Sequence, residues 1–218
     1  AQVAGHYAER EGVALQDLSF NAHFQRSDQG FEAIVDDLAF SQGETRWGDV
    51  RVGLVQQRDN AAHEERWSLG VDRLDIAPLV PLVEALAPLP ETARTLLATL
   101  KPHGRVARLS LDYRPAREGA QRLQFAANLE AVGFAAYQAS PAAENVSGSV
   151  QGDLASGELR LDARNFMLHL STLFPEPWRY PEAHARLLWQ LDDEAFTLRS
   201  PYLRVSGEEG EIAGDFLI

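Results

Sequence analysis

Residues 74–104 have the sequence LDIAPLVPLVEALAPLPETARTLLATLKPHG, and this stretch differs from the rest of the chain in its hydrophobic period. Apolar residues recur at helical spacing in its first half, at Leu79, Leu82, Val83 and Leu86. The second half repeats the pattern, so each half has one apolar stripe that must pack against another surface.

Prolines divide this stretch into two predicted helices. Pro88 and Pro90 lie between the halves, and proline removes a backbone donor and clashes with the preceding turn. Asp75 is a candidate N-cap for the first helix, and the KPHG sequence at 101–104 is a stop signal for the second. We therefore expect a bent helical insert within residues 74–104 that covers one face or end of a sheet.

The sequence on both sides of the insert has the period of β-strands. From Leu18 to Phe24 the sequence LSFNAHF places apolar side chains at every second position, and similar alternation recurs along the chain. The turns between these segments are short, which favours antiparallel neighbours because parallel pairs need long crossovers. Residues 173–181, LFPEPWRYP, contain three prolines, so we expect no central strand there.

Composition excludes several classes of function. The chain has 218 residues and a net charge of −12, which disfavours binding to nucleic acids or to anionic membrane surfaces. It contains no cysteine, so disulfides and thiolate metal sites are excluded. No apolar run is long enough to span a bilayer. Because the chain starts at Ala1 with a strand-like sequence, we expect an internal fragment of a longer protein.

Residues that commonly catalyse reactions form no recognisable motif. The sequence has six histidines, and residues 63–67, HEERW, fail the zinc-protease motif because the fifth residue is Trp. Adjacent carboxylates such as Asp36 and Asp37 would point to opposite faces of a strand, so they do not form a catalytic pair. We expect no enzymatic activity, no cofactor and no metal site.

Apolar side chains on one face of nearly every predicted strand leave two folds open. In a β-sandwich, two such faces bury one another. Alternatively, a single sheet curls on itself, and its inner face lines a groove for an apolar ligand. Both folds require the same alternation, and the pattern alone favours the sandwich. A sandwich would suit a sugar- or protein-binding module, and an inner face fully packed by its own side chains would suit a structural spacer.

Four segments, taken in order, resemble a known family. They are WSLGVDRLDIAPLVPLVEAL at 67–86, LKPHGRVARLSLDY at 100–113, ENVSGSVQGDLASGELRLD at 144–162 and LFPEPWRYPEAHARLLWQ at 173–190. Together they resemble the YhdP branch of the AsmA-like family of bacterial envelope proteins. The resemblance covers most of the chain and is clearest between Trp67 and Trp189.

The resemblance implies a mainly β fold, a curved antiparallel meander that forms an open apolar groove with a short helical insert. It implies that residues 1–218 are one section of a longer β-groove rod in the periplasm. The parent chain would be anchored in the inner membrane of a Gram-negative bacterium and reach the outer membrane. Its expected partners are phospholipid acyl chains, which it would carry between the membranes, and neighbouring sections of the same parent chain.

The expected groove predicts a set of lipid-binding residues, all at apolar positions of the alternating segments. For each of them, packing in a core is the competing interpretation. The helical insert would plug or brace the groove. The candidate residues are Phe20, Phe24, Leu109, Leu111, Leu123, Phe125, Leu129, Leu159, Leu161, Leu187, Trp189, Phe196, Leu198 and Phe216.

Overall fold

The computed structural model describes residues 3–5, 13–59, 64–86, 89–137, 141–171, 175–192, 195–207 and 210–217. Its strands form a single sheet in chain order, and each pairs antiparallel with the next. They are β1 (Val3–Gly5), β2 (Val13–Ser27), β3 (Gly30–Gln42), β4 (Thr45–Asp59), β5 (Glu64–Asp75), β6 (His103–Tyr113), β7 (Leu123–Phe134), β8 (Ala142–Asp153), β9 (Ser156–His169), β10 (Trp178–Leu191), β11 (Phe196–Gly207) and β12 (Gly210–Leu217). This confirms the predicted antiparallel meander.

Two helices lie between β5 and β6, inside the predicted stretch. They are α1 (Ile76–Leu86) and α2 (Glu91–Leu100), and α2 ends at Lys101 in a left-handed conformation, with its N–H bonded to the Leu97 carbonyl. Asp75 is the last residue of β5, directly before α1, and its carboxylate pairs with Arg105. Pro88 lies outside the described residues.

The sheet is a single open layer. Among the described residues β1 and β12 do not pair, and α1 and α2 are the α-helices that accompany the sheet. The protein exposes 14389 Å² of surface, whereas a compact monomer of its size, 24.1 kDa, exposes about 10,000 Å². The preference for a sandwich, drawn from the pattern alone, is therefore wrong. One sheet with an uncovered apolar face has the same alternation as two sheets that cover each other.

A line of left-handed residues crosses most of the strands. These residues have φ between 49° and 57°, and most coincide with shifts in strand register, so they mark β-bulges. All lie in the half of the sheet nearer the end where β5 leads into α1, here called the helix end. Bulges bend strands, so a line of them creases the sheet across its strands. The residues are Asp17, Asp37, Asp49, Arg108, Ala131, Asn145 and Asn165.

The residue that follows each bulge is apolar and packs in a core. Leu18, Leu38, Val50 and Leu109 belong to a cluster around Phe40, and α1 adds Leu79 and Leu82 to it. Val132, Val146 and Phe166 belong to a second cluster around Ala163 and Ala183. The crease is therefore the best-packed part of the sheet.

The proline-rich segment differs from its prediction. β10 begins at Trp178 and is a central strand, although it contains Pro181. Its pairs with β9 fall on both sides of the proline, at Tyr180–Phe166 and Glu182–Arg164. Asn165, opposite Pro181, is one of the left-handed residues. A missing donor is tolerated here because the ladder is already interrupted.

Candidate functional site

The cross-strand pairs place every candidate lipid-binding residue on one face of the sheet. Residues directly opposite one another in an antiparallel pair share a face, and the face alternates along each strand between bulges. The same face carries α1 and both core clusters, and we call it the apolar face. The candidates on it are Phe20, Phe24, Leu109, Leu111, Leu123, Phe125, Leu129, Leu159, Leu161, Leu187, Trp189, Phe196, Leu198 and Phe216.

One row of paired residues crosses this face from β2 to β11 and contains only apolar side chains and glycine. At about 4.8 Å per strand, the row is about 43 Å long, roughly the length of three acyl chains that each span half a bilayer core. We call it the central row. Its members, in order, are Phe24, Ala33, Leu54, Leu69, Leu111, Phe125, Gly152, Gly157, Trp189 and Leu198.

Exposure of the candidates changes across the apolar face. Leu161, near the helix end, is buried. Phe24 and Phe196 lie near the opposite end, where β2 turns into β3 and β10 into β11, and they are 68% and 59% exposed. Phe20 is also exposed, and the remaining candidates are half-buried. The crease is thus a packed core, whereas the opposite side, here called the hairpin end, leaves apolar side chains open to solvent.

Phe125 and Trp189 are the two candidates whose rings stack. Their centroids are 6.4 Å apart with an interplanar angle of 12°, although β8 and β9 separate their strands. Flat strands would place these two backbones about 14 Å apart. The rings meet because the two side chains extend towards each other across Gly152 and Gly157, which place no side chain between them. A Cβ atom at Gly157 would collide with the Trp189 indole.

A second aromatic group at the hairpin end was not among the predicted site residues. Phe31 stacks on Phe24 with centroids 5.7 Å apart, and Trp67 meets Phe31 edge-on, also at 5.7 Å. Tyr113 is the direct partner of Trp67 on the same face. The same alternation that selected Phe24 applies to all three, so the sequence did contain the signal for them.

The opposite face of the sheet is charged, and ion pairs connect neighbouring strands on it. Arg66 binds Asp112 at 2.7 Å, and Arg186 binds Glu158 at 3.0 Å, while Arg160 also contacts Glu158. These pairs keep one face of the sheet hydrated and leave the other for apolar contact.

Two carboxyl groups on this charged face have lowered pKa values. Burial raises the pKa of the Asp112 carboxyl, but hydrogen bonds from Ser68 and Arg66 outweigh burial and hold it below its usual value. Hydrogen bonds from Arg186 and Arg160 lower the pKa of Glu158. Both carboxylates are therefore ionised at neutral pH and hold neighbouring strands together.

No group of three or more acidic or histidine side chains in the described part of the chain could hold a metal ion. Among the same residues, no helix has the length and apolar character that crossing a bilayer requires.

Comparisons with known proteins come from a family model and a curated relative. The model described as YhdP protein matches residues 4–218. The Intermembrane phospholipid transporter YhdP of Escherichia coli (strain K12) is 20% identical over 219 aligned positions, which cover 98% of this chain. The chain spans only 17% of the length of that relative. No solved structure matches the chain.

Proposed function

The chain belongs to the YhdP protein family, and on that premise we propose that it is one section of a transporter that carries phospholipids through the cell envelope. In this proposal the apolar face is the floor of an open groove. Acyl chains lie on the apolar face, and headgroups stay in water at the hairpin end. The section works without a cofactor and catalyses no reaction.

The observation that carries the proposal is the unbroken central row. An acyl chain loses about 0.8 kcal/mol for each CH₂ group that enters water, so a lipid can move only along continuous apolar surface. A row of about 43 Å is too long to be a pocket for one lipid and suits a path along which lipids follow one another. The path crosses the strands, because the apolar side chains line up from strand to strand.

The crease gives this path one closed side. Leu79 and Leu82 of α1 pack on the cluster around Phe40, so α1 braces the groove wall at the helix end. The hairpin end has no such cover from the described residues, and Phe24 and Phe196 remain exposed there. A groove that is closed on one side and open on the other holds acyl chains while headgroups remain hydrated.

The proposal places the section in the periplasm, within a parent chain anchored in the inner membrane of a Gram-negative bacterium. Neighbouring sections of the parent would continue the apolar path beyond β1 and β12. The name of the Escherichia coli relative, an intermembrane phospholipid transporter, supports this location.

Site-specific photo-crosslinking in cells tests the proposal. The probe is placed at Phe125, in the central row, and at Gln124, which faces the charged side and is exposed. We expect phospholipid adducts at Phe125 and none at Gln124. Absence of adducts at both positions in a folded protein would show that the face is a packed structural surface, which would favour a spacer.

A further inference from the structure

Two arginines lie on the apolar face at its hairpin end. Arg26 is directly opposite Phe31, which is opposite Gln56, and both Phe31 and Gln56 belong to the apolar face. Arg58 lies two residues after Gln56 in β4 and therefore shares its face. Both guanidinium groups thus stand beside the aromatic cluster of Phe24 and Phe31 rather than on the charged face.

This placement is unusual within the molecule. Apart from Arg108, which is a bulge residue, the other strand arginines in the described residues lie on the charged face. The strand carboxylate that accompanies Arg26 and Arg58 is Glu65, which pairs with Arg58 at 3.6 Å. The apolar face therefore carries more positive than negative strand residues, although the whole chain has a net charge of −12. The arginines of the charged face are Arg46, Arg51, Arg66, Arg73, Arg105, Arg160, Arg164, Arg179, Arg186, Arg199 and Arg204.

Arg26 and Arg58 line one cavity of about 450 Å³, together with Phe24, Phe31 and Gln56. Gln56 is only 4% exposed and donates its amide to Glu65, so the negative charge of Glu65 is shared between Gln56 and Arg58.

Arg26 forms no ion pair with any described residue. Asp28 in the adjoining turn also lines the cavity, and both Asp28 and Arg26 are exposed, but the two side chains form no ion pair. Arg26 is thus the cation of this cavity that is free to bind an anion.

We propose that Arg26 and Arg58 bind the phosphate group of a phospholipid whose acyl chains lie on the apolar face. Guanidinium groups bind phosphate oxygens through paired, charge-assisted hydrogen bonds. Phe24 and Phe31 adjoin the same cavity and offer apolar surface to the first carbons of the acyl chains. The inference rests on the proposed function, because it assumes that lipids occupy this face.

Binding of two lipids with identical acyl chains to the purified chain tests this assignment. Dioleoyl phosphatidic acid carries a phosphate and dioleoylglycerol does not, and both are presented in the same detergent micelles. We expect Arg26→Gln combined with Arg58→Gln to weaken phosphatidic acid binding about tenfold and to leave dioleoylglycerol binding unchanged. Arg199→Gln, on the charged face, is the matched control and should change neither. Phosphatidic acid binding is also measured for Arg26→Gln alone, because this substitution leaves the Arg58–Glu65 ion pair intact.

The outcomes separate this inference from the proposed function. If the unmodified chain binds neither lipid, the proposed function fails. If it binds both lipids, and the arginine variants weaken both equally or neither, lipid occupancy stands and the phosphate site is wrong. Saturable binding of inorganic phosphate alone, with the same dependence on Arg26, would assign the site to free phosphate and overturn the headgroup assignment.

Discussion

The indole of Trp189 in β10 stacks on the ring of Phe125 in β7, with centroids 6.4 Å apart, and two paired glycines lie beneath them. Gly152 and Gly157 are direct partners in β8 and β9, and they allow the rings to meet across two intervening strands. The stack is thus a contact that depends on the absence of side chains at these two positions.

Gly157→Ala should open this stack. The added methyl group would collide with the Trp189 indole, so the ring must lift away from Phe125. We expect a loss of about 1–3 kcal/mol in the free energy of unfolding, measured by urea denaturation, and a change in near-ultraviolet circular dichroism. Gly53→Ala is the control, since a Cβ atom there meets nothing within 4 Å. Equal effects of the two substitutions would contradict this account of Gly157.

Ala131→Gly should stabilise the protein, because Ala131 is held at φ 49° in the crease. An L-residue in the left-handed region costs about 1–2 kcal/mol, which exceeds the entropic cost of glycine, so we expect a gain of about 0.5–1 kcal/mol. Ala126→Gly, in the same strand but at a residue without a positive φ, should instead cost about 0.5–1 kcal/mol. Urea denaturation of the two variants should give changes of opposite sign in the free energy of unfolding. Changes of the same sign would contradict the left-handed conformation of Ala131.

Leu82→Ala should weaken the attachment of α1 to the sheet. Leu82 packs on the cluster around Phe40 and is half-buried, so the expected loss is about 1–2 kcal/mol, below the range for fully buried leucines. Leu96→Ala in α2 is the matched control. Leu96 is 39% exposed, and its truncation should change the free energy of unfolding by less than about 0.5 kcal/mol. Comparable losses would mean that both helices contribute to the stability of the sheet.

Glu158→Gln should remove a pH-dependent contribution to stability. The folded-state pKa of Glu158 is lowered by Arg186 and Arg160, so its carboxylate stabilises the fold above the usual pKa of glutamate. That contribution is lost as the pH falls through the lowered pKa. We therefore expect the variant to be less stable than the unmodified chain at neutral pH and equally stable in strong acid. A difference that does not vary with pH would assign the effect to packing.

Leu111→Gln should interrupt the central row and reduce lipid occupancy. An amide group on this surface costs about 1–3 kcal/mol when an acyl chain covers it, which corresponds to about 5- to 150-fold less bound lipid. Ser110→Gln changes the neighbouring residue on the charged face and should have no effect. Lipid extracted from the purified variants and quantified by mass spectrometry gives the answer, with circular dichroism to confirm folding. An unchanged amount of bound lipid in Leu111→Gln would show that lipids do not lie on the central row.

The sequence predicted the facing of the strands better than it predicted their assembly. Alternation placed residues as distant as Phe20 and Phe216 on one face, because the side-chain period of a strand is local. Whether that face meets a second sheet depends on contacts that alternation does not encode, and the pattern alone favoured the wrong answer.

The crease was missed for a related reason. Asp17, Asp49 and Asn165 each precede an apolar core residue, yet they look like ordinary breaks in the pattern. Asn and Asp tolerate left-handed backbone more readily than most residues, so the recurrence of Asp or Asn before an apolar residue was an available signal. Pro181 shows the same limit, because a proline in a central strand is acceptable only opposite an irregularity that lies elsewhere in the sequence.

The left-handed residues lie in β2 to β4 and in β6 to β9, and each of these strands contacts mainly its immediate neighbours in the chain. A hairpin could therefore be inserted or deleted without disturbing the cross-section of the proposed groove, provided that it carries its own bulge and the apolar residue after it. Each such hairpin would change the reach of the groove by about 10 Å. In the proposed function, the crease makes the length of the groove independent of its width, so that a protein built this way could be lengthened or shortened one hairpin at a time.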